Sequence, residues 1–170
     1  GLIIHGEDGD TNTLACMAAA YQQNHGINTP VRYIHRLDRD PVGLVLFVKI
    51  PFFQPWFDRQ LSEKKIRRHY YAITTGKAKV NQKFVFTGKI GRDRHVSGKY
   101  RISDTGVEAL TKAECVNKKG PYLLMSCQLE TGRTHQIRVH LSASGHPIVN
   151  DPLYGAPAHL FSGMGLWADE

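Results

Sequence analysis

Residues 107–130 read VEALTKAECVNKKGPYLLMSCQLE. Val107, Ala109, Thr111 and Ala113 recur at period two, as do Leu123, Met125, Cys127 and Leu129, the spacing of two strands that each turn one face to a core. The turn-rich joint Asn117-Lys118-Lys119-Gly120-Pro121 between them predicts an antiparallel pair. Upstream, 68–74 and 84–90 also read as strands, and 31–34 and 43–49 as shorter buried ones. Leu14, Met17, Ala18 and Tyr21 follow the capping residues Thr11 and Thr13 at helical spacing, so 13–24 is expected to be a helix that packs this face on the core. Pro55 suits a first helical position, and Phe57 and Leu61 carry a second helix to about Lys65. Residues 134–144 fit either period, yet Thr134 can cap, Gly145 sits at a C′ position and Pro147 is a stop, which favours helix. The sum is one α+β domain over 1–170, a mixed, mainly antiparallel β-sheet with flanking helices.

Composition narrows the class. With 41% hydrophobic and 22% charged residues the chain is ordinary globular material, which excludes disordered and fibrous classes. The longest apolar run, 44–48, is far short of the roughly 18 residues of a membrane span, and the start lacks the basic flank of a signal peptide. Cys16, Cys115 and Cys127 are odd in number and never spaced as CxxC, so a disulfide framework is not expected and a cytoplasmic location is. The net charge of +7 is unevenly placed. Residues 58–101 hold 13 basic side chains against Asp58, Glu63 and Asp93, which is a hint of a polyanion partner or simply a solvated face.

Most site chemistries find no support. His135 and His140 are five apart, on neither one helical face nor one strand face, and His35, His69, His95 and His146 show no ligand spacing, so no metal is expected. Gly-x-Gly-x-x-Gly, the phosphate-loop pattern and Gly-x-Ser-x-Gly are all absent. Acids, bases and amides do crowd two places, Arg36-Leu37-Asp38-Arg39-Asp40 and Gly132-Arg133-Thr134-His135-Gln136-Ile137-Arg138. Each reads either as a polar cleft or as a solvated ion-pair loop.

His35-Arg36-Leu37-Asp38 followed by Gly43-Leu44 resembles the first signature of the RluA-type pseudouridine synthases. Arg68-His69-Tyr70-Tyr71-Ala72 with Gly76 resembles their second. The run 132–140, Gly145-His146-Pro147-Ile148, Asp151 and Tyr154-Gly155 resemble the third. The resemblance implies a catalytic domain of that family, acting on rRNA or tRNA without a cofactor or an obligate protein partner. In that reaction the N1–C1′ bond of a uridine breaks and the base is rejoined through C5.

By motif position Asp38 is the catalytic carboxylate, either attacking C1′ or assisting a glycal intermediate. Arg138 is the cation that keeps it ionised once a base has displaced water, and its planar fork can hold a carboxylate rigidly. Tyr70 is the ring over the uracil, with a hydroxyl suited to assisting removal of the C5 proton. Arg36 is the contact to the flipped nucleotide. His35, Arg133, His135 and Gln136 are expected to shape or hold the RNA-binding loops. Lys64, Lys65, Arg67, Arg92, Arg94 and Lys99 become candidate phosphate contacts, which position rather than specify.

Pro41-Val42 departs from the family's pair of hydroxyl residues. The chain begins at what resembles the family's G-L-L-V-H strand, 1–5, with no preceding Lys-Pro segment, and ends soon after Tyr154-Gly155, so the first and last strands of the domain are expected to be lacking, as is an S4-like RNA-binding domain. Two rival functions stay open at this stage. One is a catalytically inactive RNA-binding paralogue, which binds RNA without isomerising it. The other is a metal-dependent phosphodiesterase using Asp38, Asp40 and histidines, which chelation would abolish.

Overall fold

The computed structural model describes residues 2–6, 10–155 and 163–169. Residues 1–67 form one compact unit and 68–170 another.

In the first unit α1 spans Leu14–Asn24. Its three leading N–H groups are all met: Leu14 and Ala15 donate to the carbonyls of Ile3 and Ile4, and Cys16 donates to the Thr13 hydroxyl, the cap the sequence predicts. Residues 2–5 are therefore not the expected strand, because their carbonyls serve the helix start. The expected core face is also corrected. Met17 and Tyr21 are 58% and 50% exposed, while Gln22 is buried. Apolar residues ring this Ala-rich helix, so periodicity could not choose a face. Tyr21 instead stacks on His25 at 4.1 Å and lies under the Lys49 ammonium. Strands β1 (Arg32–Tyr33) and β3 (Phe47–Val48) pair antiparallel, with β2 (Val42–Gly43) between them in the chain.

After a 3-10 turn at Pro51–Phe53, α2 spans Gln54–Ser62. It stops three residues before the predicted end. Lys64 adopts φ 59°, its N–H donates to Leu61 O, and Lys65 N–H reaches back to Gln60 O. This is a Schellman ending with lysine where glycine is usual.

The second unit carries β4 (Arg68–Thr75), β5 (Lys83–Arg92), β6 (Tyr100–Ile102), β7 (Val107–Lys119), β8 (Tyr122–Leu129) and β9 (Leu166–Asp169). They run in the order β9-β4-β8-β7-β5-β6, with antiparallel pairing throughout. The predicted hairpin is β7–β8, closed by Gly120 and Pro121 between Lys119 and Tyr122, with a bulge between Cys115 and Asn117. Tyr70, Cys127 and Ala113 align across three strands, and Ala72, Met125 and Cys115 in the next row. These and Leu123 form one buried face. The six buried residues Gln136–Leu141 of α3 (Gln136–Ala143) belong to the same core, and Val139 packs with Ile90 and Ala109.

The ambiguous segment 134–144 is thus helix. Its end matches the expectation, since Gly145 N–H bonds Ser142 O and His146 N–H bonds Leu141 O. Its start does not. The N-cap is His135 in the left-handed region, φ 56°, and Thr134 is exposed. Strands β6 and β9 are too short to show a period, and the sequence does not announce them. Among the described residues no helix is long and apolar enough to cross a membrane.

Candidate active site

The first motif lies in the first unit, in the connection leaving β1. Leu46 N–H donates to His35 Nε2 at 3.4 Å and Ile34 N–H to Leu46 O at 3.1 Å, so the two ends of the 35–45 excursion are tied together. Within it Arg36 is exposed and Asp38 half-buried. Pro41, in place of a hydroxyl residue, is buried, which anchors the loop by packing.

The second and third motifs lie in the second unit. Tyr70 is buried on β4, opposite Cys127 on β8 and Ala168 on β9. Next to it, Arg68 lies against Gly132: a Cβ there would crowd the guanidinium, with Nη2 at 2.9 Å. Burial pulls the Arg68 pKa below its ordinary value.

Arg138 projects from α3 with 2% of its side chain exposed. Nε and Nη2 donate to Oδ2 and Oδ1 of Asp151, both at 2.8 Å. The bidentate partner is thus a carboxylate of the arginine's own unit. Asp151 Oδ1 also accepts the N–H groups of Leu153 and Tyr154, at 3.0 and 3.1 Å. Gly155 allows this turn to close, because a Cβ there would sit 2.6 Å from Asp151 Cβ. Tyr154 then lays its ring against the Arg138 guanidinium at 5.0 Å and the Lys99 ammonium at 5.5 Å. Its hydroxyl accepts Tyr100 N–H at 2.7 Å and shares a 2.8 Å hydrogen bond with His135 Nδ1.

Gln136 is a hub of the same unit. Arg133 N–H can only donate and Leu110 C=O can only accept, which fixes the carboxamide's orientation. Oε1 also takes the Thr131 hydroxyl at 2.7 Å, and Nε2 also reaches Thr111 Oγ1 at 2.9 Å. Each amide atom has two protein partners, so this side chain holds the loop. Arg133 is exposed, with Nε on Glu108 O at 3.0 Å. His140, beside it in α3, bonds Thr111 Oγ1 through Nδ1, and desolvation lowers its pKa.

Arg138, Tyr154, His135 and Lys99 are thus brought together, with Gln136 next to His135 in the chain and Arg133 two residues before it. Lys64, Lys65 and Arg67 are exposed in the first unit, and Arg92 and Arg94 are exposed at and beyond the end of β5. A cleft of about 290 Å³ on the other face of the sheet, at His69, Lys83, Lys112, Glu114, Ser126 and Gln128, contains none of the expected site residues. Asp151 and Tyr154 match motif letters, yet the sequence gives them no role, since the chain folds back 13 residues after Arg138 in a turn that no spacing announces.

A family model described as RNA pseudouridylate synthase matches residues 1–143. The chain is 40% identical over 173 residues to a protein of Bacillus subtilis (strain 168) described as uncharacterized RNA pseudouridine synthase YhcT, covering all of this chain and 57% of that protein. It is 35% identical over 156 residues to ribosomal large subunit pseudouridine synthase D of Nitrosomonas europaea, covering 91% of this chain and 45% of the relative. The solved structure of human RNA pseudouridylate synthase domain containing 1 superposes with a TM-score of 0.72 at 24% identity, over 88% of this chain and 66% of that one, a likeness of fold. The chain belongs to the RNA pseudouridylate synthase family, of the RluA type that its three motifs resemble. It spans about half the length of the curated relatives it matches.

Proposed function

We propose that this chain, as one catalytic domain over residues 1–170, isomerises specific uridines of structured RNA, ribosomal or transfer, to pseudouridine in the cytoplasm, with no cofactor. The observation that carries the reading is the family match over residues 1–143, which takes in Asp38, Tyr70 and Arg138 at their motif positions. Asp38 is the catalytic carboxylate. Asp151 holds Arg138 through Nε and Nη2, and we assign Arg138 the role of keeping the catalytic carboxylate ionised once the base has displaced water. Tyr70 packs on the flipped uracil, and Arg36 holds the displaced nucleotide. A buried, preorganised arginine suits this work, because it need not reorganise as the glycosidic bond breaks.

The test is tritium release from RNA labelled at uridine C5. Wild type should release tritium, and Asp38→Asn should reduce release to background while RNA binding persists. Loss of binding together with release would remove Asp38 from the chemistry. Wild-type protein that binds RNA but releases nothing would make the chain an RNA-binding paralogue.

A further inference from the structure

The aromatic residues of the 3-10 turn and of the first turn of α2 play no part in the site described above. Phe52 is 84% exposed and Trp56 55% exposed, which is unusual for rings of this size in a helical segment with a core to join. Both are oriented before any ligand arrives. Phe53 meets Phe52 edge to face at 5.5 Å, and Phe57 meets Trp56 the same way at 4.9 Å.

Phe52, in the 3-10 turn, is followed in α2 by Trp56 and, three residues on and so on the same helical face as that ring, by Arg59. All three are exposed, and the chain then turns through the exposed Lys64, Lys65 and Arg67. The acids nearby are engaged: Asp58 accepts from the Gln54 amide, and Glu63 pairs with Lys65 at 2.7 Å. The surface is therefore aromatic and net cationic at once. Rings and an arginine alone would also suit a protein partner, but lysine is depleted at such interfaces, and here the exposed Lys64 and Lys65 follow. Alternation of ring and cation is what a single-stranded polyanion with flat bases requires.

Four residues, part 3-10 turn and part α-helix, advance about 6–8 Å, well beyond the roughly 3.4 Å between stacked bases of one duplex strand. The two rings can thus serve separate bases that have already left a stack. We propose that Phe52 and Trp56 form a stacking platform for two unpaired nucleotides of the RNA substrate, with Arg59 and the following basic residues on the adjoining phosphates. This extends the proposed function, on whose RNA substrate it rests.

The test uses the full chain carrying Trp167→Phe, which leaves Trp56 as the sole tryptophan of the two. Single-stranded oligouridylate of about ten nucleotides, within the usual site size, should quench Trp56 emission with the same midpoint as a binding isotherm. In chains that keep Trp167, Phe52→Leu and Trp56→Leu should each weaken binding about tenfold, one stacked base per ring, and Trp56→Phe should restore most of it. Absence of quenching, or full affinity in Trp56→Leu, overturns the platform, and the affinity measurement decides alone if Trp167→Phe does not fold. Concentration-dependent dimerisation abolished by Trp56→Leu would hand the patch to a second copy and also overturn it. Quenching by a chain that releases no tritium would leave the platform standing and sink the enzyme reading; release without quenching would do the reverse.

Discussion

Arg138 is buried, and its cost of desolvation is met by a carboxylate in bidentate geometry and an aromatic ring. Removing Asp151 would leave that charge uncompensated, so Asp151→Ala should cost about 3–5 kcal/mol in chemical denaturation. In the fraction that stays folded, tritium release per bound RNA should drop, since the guanidinium loses its anchor. If stability and release were both unaffected, Asp151 would not be the holder of Arg138. His140 makes a separate prediction. Its folded-state pKa lies below the ordinary value because burial disfavours the imidazolium. The unfolded chain therefore takes up a proton first as pH falls. Stability should be flat above about pH 6.5, decline as pH drops from there toward the lowered folded value, and level off beneath it. His140→Leu should lack this decline in urea midpoints measured across the range.

At the scale of elements, the two helix endings differ in an instructive way. Both use the same pair of backward hydrogen bonds, but α3 has Gly145 at the left-handed position and α2 has Lys64, φ 77° and 59°. A side chain in that conformation costs about 1–2 kcal/mol, part of which glycine returns as unfolded-state entropy. Lys64→Gly should thus raise stability by roughly 0.5–1 kcal/mol while weakening RNA binding through the removed charge. Opposite movement of melting temperature and affinity is the expected signature. The same comparison explains what was legible. Gly145 and Pro147 announce the end of α3, whereas Lys64 carries no such signal, and the sequence makes α2 three residues too long. The hairpin of β7 and β8 is readable because alternation and turn agree. Strand β9 is not, since four residues paired with Tyr71 and its neighbours depend on β4 to be a strand at all.

On the scale of the molecule, the excess charge of 58–101 is divided between the two units. Neutralising Arg92, Arg94 and Lys99 should lower the slope of log affinity against log salt by about 0.7 for each single-strand phosphate that no longer meets a cation, without moving the modified uridine. An unchanged slope would return these residues to a solvated face. The thiols give a check on the core. Cys127 is pushed up to about 12 by burial, Cys115 is also buried, and Cys16 is exposed. One thiol should react quickly with an aromatic disulfide reagent in the native protein and three after denaturation.

Period-two alternation, helix stops and three motif blocks were enough to give the α+β class, the antiparallel hairpin and the family, because each is a local pattern written along a few residues. The partners were another matter. That Asp151 grips Arg138, that Tyr154 joins His135, Tyr100 and Lys99, that Gln136 spends its amide on the loop, and that Met17 and Tyr21 face outward all depend on groups brought together from distant positions. Hydrogen bonds and packing are made in space, and only the folded chain decides which donors meet which acceptors.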